Sequence, residues 1–440
     1  MQGHPIDRFT EPFKEFLHKQ SAAGVVLFIA AMVALVLANS PWHEQYHHLW
    51  EHTVAVRFDQ WELSRSLHHW INDGLMAMFF FLVGLELKRE VVGGELSDPR
   101  KALLPVAAGF GGMLVPAAIY LLFVPSGPGH SGWGIPMATD IAFAVGLLAL
   151  LGSRVPPSLK VFLTTLAIAD DLGAVLVIAF FYTSDISMQN VLVGASFLVV
   201  LMVGNLIGVR SPWFYALFGI GGVWTAFLLS GIHATIAGVL AAFTIPAVTR
   251  LDEETYIKRI NRYLREFAAL KPNELPTLTD EQLEVIGKID AASEHAETPL
   301  QRLEHRLHPL VMFGVMPLFA LANAGVRLPE AIMDSLASPV TLGVSFGLIV
   351  GKPLGILCTV WMLTRLGWAS LGGSIRWGHL IGMGFLAGIG FTMSLFVNEL
   401  AFQDTVLQEQ AKLGILLASL VAGVVGYVLL KRQAPATPQQ

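Results

Sequence analysis

The chain has 440 residues, of which 54% are hydrophobic and 14% charged, and its mean hydropathy is +0.60. Soluble domains carry about 25% charged residues, so the composition excludes an ordinary soluble protein and indicates a polytopic α-helical membrane protein. The formal net charge of −5 argues against a nucleic-acid partner. The single cysteine, Cys358, excludes an intrachain disulfide.

Apolar runs long enough to span a bilayer recur along the whole chain, and they predict an all-α fold with twelve transmembrane helices. In chain order the predicted spans are Ser21–Asn39, Trp70–Leu87, Ala102–Val124, Ile135–Leu151, Val161–Tyr182, Val191–Val209, Trp213–Leu229, Gly231–Val248, His308–Ala324, Val340–Leu363, His379–Asn398 and Leu413–Leu430. If the N-terminus is cytoplasmic, most Lys and Arg residues of the short connections face the cytoplasm. The outer connections then hold only Arg57, Arg65, Arg327 and Lys412. This asymmetry predicts that both termini are cytoplasmic.

The spans divide the chain into segments. We expect a cytoplasmic N-terminal segment at 1–20, eight helices within 21–248, a cytoplasmic insert at 249–306, four helices within 307–432 and a disordered tail at 433–440.

Two connections are long enough to hold structure of their own. In the outer loop 41–69, Val54–Phe58 and Trp61–Leu63 flank Asp59-Gln60, which predicts a short β-hairpin. The hairpin could be a surface cover or a sheet edge that pairs with another protomer. The insert predicts two amphipathic helices on either side of 271–276, the second opened by a capping box at Thr279–Gln282. Its expected role is a lid or a regulatory insert.

Two adjacent acids, Asp170 and Asp171, lie in the middle of the fifth span. Charged groups at this depth are costly, and they usually face a cavity and carry function. Neighbouring carboxylates in a dry site cannot both stay ionised cheaply, so one tends to keep a proton until a cation replaces it. The pair predicts a site that exchanges a proton for a metal ion. The alternative is a structural acid satisfied by a neighbouring helix.

The fourth and eleventh spans show signs of interruption. The fourth is short, has Pro136 near its start and contains Thr139 and Asp140, whose oxygens suit a hard cation. The eleventh has four glycines between 382 and 390, which indicate either close helix packing or a break facing a cavity. Spans three to five and ten to twelve share this order of whole, interrupted and whole helices, as in an inverted repeat.

The tenth span contains Lys352, the only cation well inside any predicted span. We expect it to pair with Asp170, Asp171 or Asp140, or to balance the negative end of an interrupted helix. Further ionisable residues lie near the ends of spans. A mixed cluster of acids and histidines could sense pH, or it could be a solvated interfacial cluster. Its candidate members are Glu86, Arg89, Glu90, His233, Glu304, His305 and His308.

Seven motifs, in the same order from about Asp73 to Tyr427, together resemble the NhaA family of bacterial sodium/proton antiporters. They are Ala138-Thr-Asp-Ile-Ala-Phe143, Leu150-Leu-Gly-Ser-Arg-Val-Pro156, Leu166-Ala-Ile-Ala-Asp-Asp-Leu-Gly173, Ser230-Gly-Ile-His-Ala-Thr235, Leu303-Glu-His-Arg-Leu-His-Pro309, Gly351-Lys-Pro-Leu-Gly355 and Gly388-Ile-Gly-Phe-Thr-Met-Ser394. The insert at 249–298 departs from the family pattern by its length.

The resemblance implies a twelve-helix inner-membrane protein in which broken spans four and eleven cross near the membrane centre. It implies that Asp171 binds Na⁺ or Li⁺ and carries protons, and that Asp170 is its partner, bridged to Lys352 in the inactive form. Thr139 would be an accessory ligand, and Asp140 and Lys352 would balance the broken helix ends. The seven ionisable residues named above would match the pH-response residues.

The resemblance also implies the activity and the partners. Family members exchange one Na⁺ or Li⁺ for more than one proton, electrogenically and with no cofactor, and their outer hairpin makes a homodimer contact. Here that contact would involve Val54–Leu63. Two other functional classes remain at this point. An intramembrane aspartyl protease could use Asp140 and Asp170, although the adjacency of Asp170 to Asp171 and the presence of Lys352 argue against it. A passive cation channel is the other.

Overall fold

The computed structural model describes residues 20–59, 61–183, 186–270, 277–327, 332–371 and 375–433. The predicted linker at 271–276 and residues 434–440 of the predicted tail lie outside the described residues, as does the N-terminal segment up to residue 19. Within the described ranges the chain is mostly helical, with one two-stranded sheet.

The helices before the insert are numbered here in chain order. They are α1 (Gln20–Ala38), α2 (His43–Glu51), α3 (Leu67–His69, a π-helical turn Trp70–Leu75, and Met76–Gly93), α4 (Pro99–Phe123), α5 (Ile141–Leu150), α6 (Pro157–Phe181), α7 (Met188–Leu206), α8 (Pro212–Leu228) and α9 (Ala234–Thr244). Short 3₁₀ segments lie at Glu95–Ser97, Pro128–Met137 and Gly152–Arg154.

The remaining helices form the insert and the second part of the bundle. They are α10 (Glu253–Ala269), α11 (Asp280–Ala296), α12 (Pro299–Asn323), α13 (Ile332–Leu336), α14 (Pro339–Arg365), α15 (Trp377–Ala387), α16 (Phe391–Ala401) and α17 (Thr405–Arg432). Both α12 and α14 contain a π-helical turn, at Val311–Val315 and Gly347–Gly351 respectively.

Seven helices in the described ranges are long and apolar enough to cross a membrane, and two bent pairs raise this number to nine. The chain is therefore built as a multi-pass membrane protein, while the count of twelve spans stays a prediction. Two features explain why fewer than twelve helices pass as membrane spans. The last turns of α3 carry four charged residues, from Glu86 to Glu90, and α8 and α9 are shorter than the other spans.

A group of helices that includes α4, α6, α14, α15 and α17 packs into one body. Helix α4 contacts both α6 and α14, and α17 contacts α14 and α15. The crossing of α4 and α14 is unusually close, because a Cβ on Gly355 would lie 2.1 Å from the backbone oxygen of Gly111. Only glycine permits this approach. Helices α3, α9 and α12 pack outside this body, and α12 also contacts α1.

A two-stranded antiparallel sheet precedes α3. Strands β1 (Thr53–Phe58) and β2 (Trp61–Ser66) pair from Thr53 opposite Ser66 to Phe58 opposite Trp61. Asp59 adopts a positive φ of 54° at the turn, a conformation that Asp tolerates better than most residues. We call the side of the bundle next to this sheet the hairpin end.

The insert folds as a pair of helices, α10 and α11, that pack on each other. The Tyr256 hydroxyl lies 3.2 Å from Ser293 Oγ, and Lys288 forms an ion pair with Glu266 at 2.9 Å. Helix α11 begins with the capping box that the sequence indicates, since the Thr279 and Gln282 side chains each bond the other's backbone N–H. We call the side of the bundle next to this pair the insert end.

Candidate ion site

Two interrupted helices meet at the centre of the packed body. In the fourth predicted span the 3₁₀ segment Pro128–Met137 gives way to extended backbone over residues 138–140 before α5 begins. In the eleventh, α15 and α16 are separated by residues 388–390 and bend by 43°. The two breaks touch, because the Asp140 N–H donates to the Ile389 carbonyl at 2.7 Å. Each interruption therefore satisfies part of the other's free backbone.

Asp140 caps the second halves of both broken spans. Its Oδ1 accepts the N–H of Phe143 in α5 at 2.9 Å. Its Oδ2 accepts from Thr392 in α16, through the backbone N–H at 3.1 Å and the hydroxyl at 2.5 Å. Helix N-termini carry partial positive charge, and Asp140 is positioned at two of them. Its predicted role in charge compensation stays a prediction.

Lys352 is fully buried, and its partner among the three acids is Asp170. Its Nζ lies 2.6 Å from Asp170 Oδ2 and also donates to the Met137 carbonyl at the end of the 3₁₀ segment. The ammonium group therefore pairs with a carboxylate and also meets the carbonyl end of an interrupted helix. The lysine therefore has both of the positions expected for it, next to an acid and at the carbonyl end of an interrupted helix.

Thr139 lies between the acid pair and the second broken helix. Its Oγ1 is 2.8 Å from Asp170 Oδ2 and 2.8 Å from the Ala387 carbonyl at the end of α15. A hydroxyl has one proton to donate, so it can serve only one of these acceptors at a time. The lone pairs of the Thr139 hydroxyl oxygen are suited to a cation.

Asp171 is the acid with open coordination. Both of its carboxylate oxygens, together with Asp170 Oδ1, lack a hydrogen-bond partner among the described residues, and neither side chain is exposed. Buried polar groups are nearly always paired, so three unpaired oxygens in one place call for a ligand or a proton. Gly109 of α4 packs closely on this pair, since a Cβ there would lie 3.2 Å from Asp170 Oδ1.

The structure brings most of the other candidate ionisable residues together between α3 and α12. Arg89 pairs with Glu304 and, at 2.9 Å, with Glu90, while Glu86 lies within electrostatic reach of both Glu304 and Asp171. His305 and His308 are exposed on the same part of α12. His233 lies apart from this group, with Nε2 2.8 Å from the Tyr182 carbonyl. Glu86 thus interacts electrostatically with both the acid pair and the group around Arg89.

Thr392 is a site residue to which the sequence motifs assigned no role. It lies in the first turn of α16 and binds Asp140 through two of its atoms. Ser394, two residues later, donates to the Ile135 carbonyl at 2.7 Å. A signal for both was present, because hydroxyl residues directly after a glycine-rich break are placed to bond exposed backbone groups.

Comparison with known proteins identifies the family of the chain. The sequence model of the family described as Na+/H+ antiporter 1 matches residues 14–430. The chain belongs to this family. It is 49% identical over 423 residues to Na(+)/H(+) antiporter NhaA 2 of Syntrophotalea carbinolica, covering 96% of each chain. It is 50% identical over 422 residues to Na(+)/H(+) antiporter NhaA of Acidithiobacillus ferrooxidans, covering 95% of this chain and 97% of that relative.

Membership in the NhaA family means that the chain is a secondary transporter and not an enzyme. The geometry gives a physical reason why the aspartyl protease alternative fails. Such enzymes need two carboxyl groups that share one proton. Asp140 accepts from helix N–H groups, and Asp170 is held by Lys352 and Thr139.

Proposed function

We propose that the chain is an electrogenic antiporter that exchanges cytoplasmic Na⁺ or Li⁺ for external protons by alternating access. The relatives are named Na⁺/H⁺ antiporters, and they cover nearly the full chain. The apolar helices and the distribution of Lys and Arg support a multi-pass protein of the bacterial inner membrane with both termini in the cytoplasm. The hairpin end then faces outward.

The observation that carries the proposal is the set of three unpaired carboxylate oxygens on Asp170 and Asp171. A buried carboxylate needs either a proton or a cation, and the two cannot occupy the same oxygen together. Competition between Na⁺ and H⁺ for these oxygens couples the two fluxes without a further component. A passive channel has no need for such competition.

In the proposed cycle, Asp171 is the main ligand and proton carrier. Its two oxygens are unpaired, whereas Asp170 gives one oxygen to Lys352 and Thr139. A small hard cation takes oxygen ligands, and Asp171, Asp170 Oδ1 and the Thr139 hydroxyl would supply them. Proton loss to the cytoplasm would admit Na⁺, and protons from outside would later displace it. Asp140 and Lys352 keep the broken helix ends neutral throughout.

We further propose that the chain is regulated by pH. Glu86, Arg89, Glu90 and Glu304 form one charged group at the insert end, and Glu86 lies within electrostatic reach of Asp171. Exposed His305 and His308 add titratable groups beside it, whereas His233 would act from a different position. The helical pair of the insert lies directly before α12, which supports a regulatory role for it.

We also propose a homodimer through the hairpin. Residues Val54 and Val56 of β1 are exposed. Among the described residues neither strand of the sheet pairs with a third strand, so a second copy could pair with its edges.

Transport in sealed vesicles tests the proposal. We expect Na⁺ and Li⁺, but not K⁺, to dissipate an imposed pH gradient. With the voltage clamped by valinomycin and K⁺ the rate should rise, because more than one proton moves per cation. Asp171→Asn should abolish the response. A pH gradient that all three cations leave unchanged would refute antiport, and a rate insensitive to voltage would refute electrogenic exchange.

A further inference from the structure

A tyrosine that the cycle described so far does not use ties the end of α6 to the first half of the broken fourth span. Tyr182 directly follows α6, the helix that carries the acid pair. Its hydroxyl donates to the Ser131 carbonyl at 2.6 Å and accepts the Gly134 N–H at 3.3 Å. One oxygen atom therefore bonds the backbone of the 3₁₀ segment Pro128–Met137 at two residues.

Both the side chain and the main chain of Tyr182 are held in place. The Trp133 ring stacks on it, with ring centroids 6.5 Å apart and planes inclined by 26°. A Cβ on Gly134 would lie 2.7 Å from the Tyr182 hydroxyl oxygen, so only glycine permits this close approach. The Tyr182 carbonyl lies 2.8 Å from His233 Nε2, and the ring nitrogen must be the donor because a carbonyl can only accept.

A second tie joins the same two elements at the ion site, where Thr139 Oγ1 lies 2.8 Å from Asp170 Oδ2. Twelve residues separate Asp170 from Tyr182, which is about 18 Å of α-helix. The opposite path, from Ser131 through Met137 to Thr139, is 3₁₀ helix followed by extended backbone and measures about 19 Å. Because the two paths match in length, the hydroxyl bond at one end sets the register of Thr139 against the acid pair at the other.

Further hydrogen bonds of the 3₁₀ segment lead to other helices. The Tyr120 hydroxyl of α4 donates to the Gly129 carbonyl at 2.6 Å. The Ser131 hydroxyl donates to the Ala401 carbonyl at the end of α16 at 2.8 Å. These bonds hold the segment to α4 and α16, but they do not set its distance from α6. Loss of the Tyr182 hydroxyl therefore leaves the segment attached while α6 can shift against it.

We propose that Tyr182 is a positioning residue for cation binding, because its hydroxyl fixes the register of Thr139 against the carboxylates of Asp170 and Asp171. The inference rests on the proposed antiport, in which Thr139 is an accessory ligand of the cation. A hard cation takes several oxygen ligands and so needs oxygens from both elements at once, whereas a proton needs a single carboxylate oxygen. A loosened register therefore weakens cation binding and leaves proton binding unchanged.

Proton release from the purified protein on addition of Na⁺ tests the proposal, with Tyr182→Phe as the key variant. Phenylalanine keeps the ring beside Trp133 and removes the hydroxyl. At one fixed starting pH, we expect the Na⁺ concentration for half-maximal release to rise several-fold. The loss of one typical hydrogen bond corresponds to about five-fold. The number of protons released at saturating Na⁺ should equal that of the wild type. An unchanged half-maximal concentration overturns the proposal.

Two further variants separate positioning from a general loosening of the segment. Tyr120→Phe removes a hydroxyl bond of the same length to the same 3₁₀ segment, but from α4, so its half-maximal Na⁺ concentration should stay at the wild-type value. Gly134→Ala keeps the Tyr182 hydroxyl but places a Cβ against it, so the concentration should rise as in Tyr182→Phe. An equal rise in Tyr120→Phe, or a wild-type value in Gly134→Ala, contradicts the assignment.

Thermal unfolding in detergent separates this inference from the proposed function, because it reports cation binding without transport. Bound Na⁺ should raise the melting temperature, and the Na⁺ concentration at which the rise begins should be several-fold higher in Tyr182→Phe than in the wild type. This shift in a protein that shows no antiport in vesicles would refute the function and keep the positioning role. Intact antiport with the same onset in both proteins would refute the positioning role alone.

Discussion

The burial of Lys352 makes its removal costly. In Lys352→Ala the Asp170 carboxylate, which is fully buried, loses an ammonium group 2.6 Å away, and the Met137 carbonyl loses its donor. Breaking one partner of a buried ion pair costs about 3–5 kcal/mol, because it leaves an uncompensated charge in a dry site. We expect the free energy of unfolding to fall by about this amount at pH 8.

The double variant Lys352→Met/Asp170→Asn tests whether the cost of Lys352→Ala comes from the unpaired charge that remains on Asp170. Replacing both members of a buried pair with neutral groups of similar size is often nearly neutral. The double variant should therefore be less destabilised than Lys352→Ala, although it exchanges no Na⁺. Unfolding by denaturant in detergent micelles, followed by tryptophan fluorescence, compares the wild type, Lys352→Ala, the double variant and its two single variants, Lys352→Met and Asp170→Asn.

An exposed lysine provides the matched control. Lys288 of α11 pairs with Glu266 and Glu284 on the surface, where solvent screens the charges, so Lys288→Ala should change stability far less than Lys352→Ala. A loss in Lys352→Ala no larger than in this control would refute the reasoning. So would additive costs for the two substitutions of the double variant.

Three further predictions concern packing and the insert. Gly355→Ala should lower the free energy of unfolding by about 1–3 kcal/mol, because its Cβ would meet the backbone of α4. Gly287→Ala, with open space around it, should raise that free energy by about 0.4–1 kcal/mol. Thermal unfolding compares the two variants. Deleting residues 252–297 should preserve exchange but alter its pH profile in vesicles, and loss of folding would show that the insert is structural. The Asp252 side chain accepts the Thr255 N–H, and this bond lowers the pKa of Asp252 below 3.8. The cap should stabilise α10 above pH 4 and be lost at lower pH, so Asp252→Ala should speed hydrogen exchange in α10 only above that pH.

The sequence predicted those features that depend on local pattern. Long apolar runs identified the helices, the capping box at Thr279 marked the start of α11, and alternation around Asp59 marked the paired strands. The buried charges were found for the same reason, since Asp140, Asp170, Asp171 and Lys352 are conspicuous inside apolar runs. A charge at bilayer depth is visible without any knowledge of its partner.

The partners themselves could not be derived from the sequence. Lys352 had three candidate acids, and the choice of Asp170 depends on how α6 and α14 both pack against α4. The double capping by Asp140 requires Thr392, 252 residues away, to approach it. His68 in the first turn of α3 lies 3.8 Å from Glu399 on α16, and neither residue is unusual in its own segment. Contacts of this kind come from the tertiary fold, which local pattern does not encode.

The central claim is that Na⁺ and protons compete for the carboxylates of Asp170 and Asp171, and proton release from the purified protein tests it most directly. Na⁺ added to the protein in weakly buffered detergent should release protons, measured with a pH indicator dye, in the wild type and in the surface control Asp290→Asn. Asp171→Asn should release none. Release from Asp171→Asn equal to that of the wild type would contradict the account.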